Sequence, residues 1–107
     1  MRFEIILAPG TIRQLNSLRK DTRSGVRAGI KLHLRHEPTK VSKSRIKRLR
    51  GLEQPQYRLR IDEIRVFYDV TETSVEILAI VPKEQAQEWL DQEAIRGPSG
   101  GAGRGEG

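Results

Sequence analysis

The chain has 107 residues, no cysteine, and 20 Lys and Arg against 14 Asp and Glu, for a net charge of +6. That length accommodates one domain with one modest core, the lack of cysteine rules out a disulfide scaffold and suits a reducing compartment, and no apolar run reaches the ~18 residues of a membrane span. A soluble cytoplasmic protein is expected, and its positive surplus points to a polyanionic partner, nucleic acid first.

Residues 2–7, "RFEIIL", alternate in a way that puts Phe3, Ile5 and Leu7 on one face of a first strand. After the "APG" break, "TIRQLNSLRK" carries Ile12, Leu15 and Leu18 on one helical stripe, with Thr11 in a capping position. Asp21 or Thr22 can cap a second helix that runs to about His36 and is stopped by Pro38. Its apolar positions Val26, Ile30 and Leu34 recur every four residues, so an amphipathic αα-hairpin is predicted.

From Thr39 to Gly51 the texture changes. Lys40, Lys43, Arg45, Lys47, Arg48 and Arg50 occur there with no acidic residue. The run reads either as a solvated loop leading into a short strand at "KRLR" or as a phosphate-contacting surface. On helix two, His33 and His36 stand close to Glu37 in a spacing that could hold a metal. No further ligands cluster near them, and neither a metal nor any other cofactor is expected.

The stretch "YRLRIDEIRVFYDV", residues 57–70, predicts a hairpin turning at Asp62 and Glu63. Ile61 then pairs with Ile64, Leu59 with Val66 and Tyr57 with Tyr68, all on the core side. The other side receives Arg58, Arg60, Arg65 and Phe67, with Arg60 directly across from Arg65. Like charges so opposed are unfavourable by a few tenths of a kcal/mol to ~1 kcal/mol, so that face is expected to grip an anion. The competing reading is neutralisation of the arginines by Asp62, Glu63, Asp69 and Glu72 as surface ion pairs. Since Asp-Glu is not a favoured two-residue turn, a wider loop is also compatible with the same parity.

After a turn at "TETS", the run "VEILAIV" predicts a strand buried on both faces and therefore central in its sheet. Pro82 opens a last helix whose Ala86, Trp89 and Leu90 share a face. Trp89 at that spacing reads as a core residue. The expectation is an α+β fold: one small, curved, mostly antiparallel sheet of about four strands, backed by the αα-hairpin and followed by a C-terminal helix. Residues 1–96 form the domain; 97–107, "GPSGGAGRGEG", are too poor in apolar side chains to fold and are expected to be a flexible tail.

The order of elements and the segments "RLRG" (48–51), "YRLRI" (57–61), "IRVFYDV" (64–70) and "VEILAIVPK" (75–83) together resemble the RelE/ParE toxin superfamily of bacterial toxin–antitoxin modules. The likeness covers about residues 2–95. It implies one of two activities: cleavage of messenger RNA in the ribosome, as in RelE-like members, or poisoning of DNA gyrase, as in ParE-like ones. The RelE-like reading makes mRNA and the ribosome the partners, with a cognate antitoxin that lays a helix or strand over the sheet or displaces the last helix.

Carried over by position, the resemblance assigns Arg58, Arg60, Arg65 and Lys83 to the catalytic site. Lys43, Arg45, Lys47, Arg48 and Arg50 become RNA contacts, and Trp89 a surface on which a nucleobase could stack. RelE-like proteins often carry lysine at the positions of Arg58 and Arg60. Arginine clamps phosphate in a bidentate fork but cannot act as a base. The basic pair often seen after the central strand is here Lys83 followed by Glu84, and a late tyrosine is missing. Glu84 reads either as a substitute base or as a carboxylate favouring the dipole of its helix.

Overall fold

The computed structural model describes residues 1–97; the expected tail from Pro98 onward lies outside the described residues. Among the described residues three helices and seven strands follow one another as β1 (Glu4–Leu7), α1 (Thr11–Asn16), α2 (Lys20–Leu34), β2 (Ile46–Arg48), β3 (Leu52–Gln54), β4 (Tyr57–Ile61), β5 (Ile64–Val70), β6 (Ser74–Pro82), α3 (Lys83–Glu93) and β7 (Ile95–Arg96). A five-stranded sheet runs in the order β1-β6-β5-β4-β2, and β3 pairs with β7 in a separate ribbon. All pairings in the large sheet are antiparallel except β1 with β6.

The hairpin register is the one the alternation predicts. Ile61 pairs with Ile64, Arg60 with Arg65, Leu59 with Val66, Arg58 with Phe67 and Tyr57 with Tyr68. The loop does not widen: Asp62 takes a left-handed φ of 52°, which closes a two-residue turn.

The apolar strand β6 is central, and a bulge lets it serve both faces. Phe67 pairs with Ala79 and Tyr68 with Ile77, which leaves Leu78 as the extra residue. The inserted residue switches the side-chain alternation. Val75, Ile77 and Ile80 therefore join one core cluster, while Ala79 and Val81 join another. Beyond the end of β1, the amide of Ile80 donates to Oε1 of Gln14 on α1 at 2.8 Å, so the ladder's loose end is satisfied by a side chain.

The larger cluster packs Leu15 of α1 and Val26, Ile30 and Leu34 of α2 on Ile46, Leu59, Ile61, Ile64, Val66 and Tyr68. Helix α2 comes close to the sheet at Gly29, where a Cβ would stand 2.6 Å from Cδ1 of Ile61. The hydroxyl of buried Tyr68 donates to the Pro38 carbonyl at 2.6 Å and ties the segment after α2 to the sheet. Burial drives its pKa upward, with the nearby Tyr57 adding to the shift.

Two helix starts differ from the expectation. The cap position of α1 is Gly10 at φ 95°, and Thr11 is instead buried with its hydroxyl donating to the Ala8 carbonyl at 2.7 Å. Helix α1 ends at Asn16 and turns Thr11 and Leu15 inward, so Ile12 is exposed while Leu18, beyond the helix, still packs on the core. Helix α2 begins at Lys20 with Arg19 in the cap position, which leaves Asp21 in the first turn, its carboxylate accepting the Thr22 amide at 2.9 Å. Gly97, placed in the tail by composition, is buried and donates its amide to the Gly51 carbonyl at 3.1 Å.

Candidate functional site: a cationic sheet face

The sheet face opposite α1 and α2 carries the arginines. Residues paired across neighbouring strands point to the same side, so Lys47, Arg58, Phe67 and Ala79 form one row, and Arg60, Arg65 and Val81 the next. Helix α3 lies on the apolar end of these rows: Ala86, Trp89 and Leu90, with Leu49, pack against Phe67, Ala79 and Val81. The Trp89 indole stacks on the Phe67 ring at 5.1 Å between centroids and 11° between planes. Trp89 is thus a packing residue whose inner face is already occupied, in line with its helical spacing.

Arg58, Arg60 and Arg65 form no ion pair among the described residues. Of the four carboxylates that could have neutralised them, Asp69 and Glu63 have other partners, Glu63 feeling Arg65 and Arg60 only as weaker charges after Lys83, and Asp62 and Glu72 form no ion pair among the described residues. Asp69 accepts the Gln56 amide and the Gln54 side chain, each at 2.8 Å. Glu63 pairs with Lys83, Oε1 to Nζ at 2.9 Å. Arg65 donates through Nη1 to backbone carbonyls, Asp62 at 2.9 Å and Ile64 at 3.1 Å, which fixes its guanidinium beside the turn.

Arg58 is half-buried between Lys47 and Phe67, and its Nε is buried with no hydrogen-bond partner among the described residues. Burial lowers its pKa, and the charges of Arg65 and Arg60 lower it further. The register places the three side chains on one face in adjacent rows. An anion bridging them would relieve the repulsion and supply the missing acceptor.

The remaining predicted residues divide. Arg45 donates Nη1 to the Arg60 carbonyl at 3.3 Å and lines a polar depression with Ser44, Arg60 and Asp62, next to the arginine rows. Lys43, Lys47 and Arg50 are exposed. Arg48 belongs to the other face, where it is cross-strand from Tyr57. Its guanidinium lies 5.1 Å over the Tyr57 ring, which stacks on Tyr68, and its Nη1 donates to the Gln56 carbonyl at 2.7 Å. Arg48 is therefore a structural stacking residue and is not brought to the arginine rows. Lys83 reaches the turn but is bound to Glu63, whose pKa it lowers by hydrogen bond and charge. His36 Nδ1 lies 3.2 Å from the Met1 carbonyl, and Glu37 pairs with Lys40 at 3.7 Å.

Periodicity missed the Lys83–Glu63 pair and the Gln54–Gln56–Asp69 network because both link residues far apart in sequence. The first has a faint signal: a lysine opening α3 and a carboxylate in the hairpin turn lie at the same end of paired strands, with the Lys83 amide donating to the Glu63 carbonyl at 2.8 Å.

No family profile matches the chain, and no curated protein does. Solved structures do. The archaeal RelE–RelB complex from Pyrococcus horikoshii contains a chain superposing with a TM-score of 0.64 and 24% identity, over 78% of this chain and 97% of that one. A chain of the RelBE2 toxin–antitoxin complex from Mycobacterium tuberculosis gives a TM-score of 0.58 and 21% identity, over 77% of this chain and 99% of that one. Over somewhat more than three quarters of its length the chain shares its fold with a chain of each of these complexes.

Proposed function

We propose that this protein is the toxin of a toxin–antitoxin module and acts as a ribosome-dependent mRNA endonuclease, working in the cytoplasm and neutralised by a cognate antitoxin. The observation that carries the reading is the cluster of Arg58, Arg60 and Arg65, gathered on one sheet face without a carboxylate partner among the described residues. Of the two similar structures one is a RelE–RelB complex and the other a toxin–antitoxin complex, which supports such a partner for this chain.

The chemistry suited to such a face is attack by a ribose 2′-oxygen on the adjacent phosphorus, with the bond to the 5′-oxygen breaking. The hydroxyl proton leaves to a base, and the 5′-oxygen takes up a proton as it departs. Negative charge grows on the phosphate oxygens in the transition state, and preorganised guanidiniums stabilise it there. Arg60 and Arg65 bracket the phosphate, Arg58 supports it from the half-buried side, and the incoming phosphate competes with Glu63 for Lys83. Lys43, Arg45, Lys47 and Arg50 lie along the edge where a single strand would continue, and their contacts are sequence-independent.

A second reading, a toxin of the same fold that does not cleave RNA, such as a gyrase inhibitor, is favoured by one observation. Tyr57 and Tyr68 both lie on the opposite, core-facing side, so neither phenol can move a proton at the arginine rows. Controlled expression separates the two. The endonuclease arrests growth and leaves cuts within translated messages. The gyrase inhibitor induces the DNA-damage response and leaves messages whole.

A further inference from the structure

The ladder of β5 and β6 continues past the last row of arginines. Arg65 pairs with Val81 and Ile64 with Pro82, and the Lys83 amide then donates to the Glu63 carbonyl at 2.8 Å. Glu63 and Lys83 therefore face each other one step further on, on the side that alternation gives to Arg65 and Phe67. Their side chains meet, Oε1 to Nζ at 2.9 Å, and both are exposed. Arg65 lies against the same turn, its guanidinium held by the carbonyls of Asp62 and Ile64. The charges around Glu63 are Lys83 of α3, Arg65 of β5 and Arg60 of β4, with Asp62 beside it and Asp21 of α2 across a small cleft. A carboxylate bound to an ammonium thus stands at the edge of the cationic rows.

Cleavage by a 2′-oxygen needs a base and an acid, and the neighbouring groups do not supply them. The three arginines cannot give up a proton, and Tyr57 and Tyr68 lie on the core side. Asp69 is held by the Gln56 amide and the Gln54 side chain. Asp62 and Glu84 pair with no cation among the described residues, so neither is joined to an acid.

We infer that Glu63 and Lys83 are the proton-transfer couple of the reaction proposed above, and the inference rests on that reading. Glu63 takes the proton of the attacking 2′-hydroxyl, and Lys83 gives one to the departing 5′-oxygen. The bond from the 2′-oxygen to phosphorus forms as the bond to the 5′-oxygen breaks. The products are a 2′,3′-cyclic phosphate and a free 5′-hydroxyl, with a neutral carboxylic acid at Glu63 and a neutral amine at Lys83. When the products leave, the contact between the two side chains re-forms and the proton passes from carboxyl to amine, which restores both groups with no outside donor. The contact also times the base. Lys83 holds the Glu63 carboxyl below the usual glutamate range, so a phosphate that draws Lys83 toward itself leaves the carboxylate more basic just as the substrate arrives.

The test is single-turnover cleavage by the full chain on ribosomes programmed with a short message, comparing wild type with Glu63→Gln, Glu63→Asp and Lys83→Arg. Glu63→Gln should cleave about 100-fold more slowly or worse. It should still melt close to wild type, since an exposed pair adds little stability, and bind a 2′-O-methylated, uncleavable message at least as tightly. Glu63→Asp, which keeps the carboxylate, should recover part of the rate. Lys83→Arg keeps the positive charge but cannot release a proton. It should cleave ordinary RNA slowly and regain its rate on RNA whose scissile 5′-oxygen is replaced by sulfur, a leaving group that needs no acid, whereas Glu63→Gln should gain far less from the sulfur. A Glu63→Gln protein that cleaves within about threefold of wild type overturns the inference and leaves the endonuclease reading in place, far from the loss expected of a missing base. So does a Lys83→Arg protein that sulfur fails to rescue. If wild type itself cuts no message, the endonuclease reading fails and the couple falls with it.

Discussion

Arg60 and Arg65 stand directly opposite each other across β4 and β5, and neither has a carboxylate partner among the described residues. A stability-driven sequence would not keep this pair. Replacing Arg60 with threonine, a better strand residue, is expected to raise unfolding free energy by a few tenths of a kcal/mol to ~1 kcal/mol, measured by urea denaturation. The same substitution should weaken growth arrest. Stability gained and toxicity lost in one variant is the signature expected of a face shaped for an anion.

The Lys83–Glu63 pair predicts a pH dependence. Lys83 holds the Glu63 carboxyl below the usual glutamate range, by hydrogen bond first and by charge second. The folded protein thus binds that proton less readily than the unfolded chain. Stability from the pair is full above pH ~4.3 and fades as pH falls through the depressed folded value. Wild type should melt slightly higher than Glu63→Gln at neutral pH, with the gap closing in acid. The pair is solvent-exposed, which keeps the gap small.

The two helical glycines of α2 should respond in opposite directions. A Cβ at Gly25 meets nothing within 4 Å, so Gly25→Ala is expected to stabilise by ~0.5–1 kcal/mol. At Gly29 the added methyl would stand 2.6 Å from Cδ1 and 3.1 Å from Cγ1 of Ile61, and Gly29→Ala should destabilise by about 1 kcal/mol net. Ile61→Val, which deletes Cδ1, should rescue part of that loss in a double-mutant comparison.

Helix α3 buries no residue completely and is held largely by the stack of Trp89 on Phe67. Phe67→Ala, in the sheet, should cost ~3–5 kcal/mol and compromise the whole fold. Trp89→Ala should cost less and act locally, with amide exchange accelerating through residues 83–93 while β4 and β5 stay protected.

Much of this arrangement was legible in the sequence wherever an alternating or helical pattern had a buried face to specify it. The hairpin register followed from parity, because the alternative slip would have buried three arginines. Val26, Ile30 and Leu34 likewise fixed the core face of α2. What escaped was set by tertiary context. Strand β3 has three residues and exists through its pairing with β7, whereas the short strand read at "KRLR" overlaps β2, which starts one residue earlier. The bulge at Leu78 leaves no mark in a uniformly apolar run. Arg48 is chemically identical to its neighbours, yet strand parity sends it to the tyrosine stack. Lys83 looked like a free cation because the glutamate that binds it is twenty residues away.

Arg65 gives the most direct test, since backbone carbonyls fix its position and its removal should leave the sheet intact. Inducing wild type and Arg65→Ala side by side, with growth and message ends recorded and both proteins checked by thermal melting, decides the matter. The account predicts arrested growth and internal message cuts for wild type, and normal growth with whole messages for an Arg65→Ala protein that melts normally. A folded Arg65→Ala variant that still arrests growth and cuts messages would contradict it.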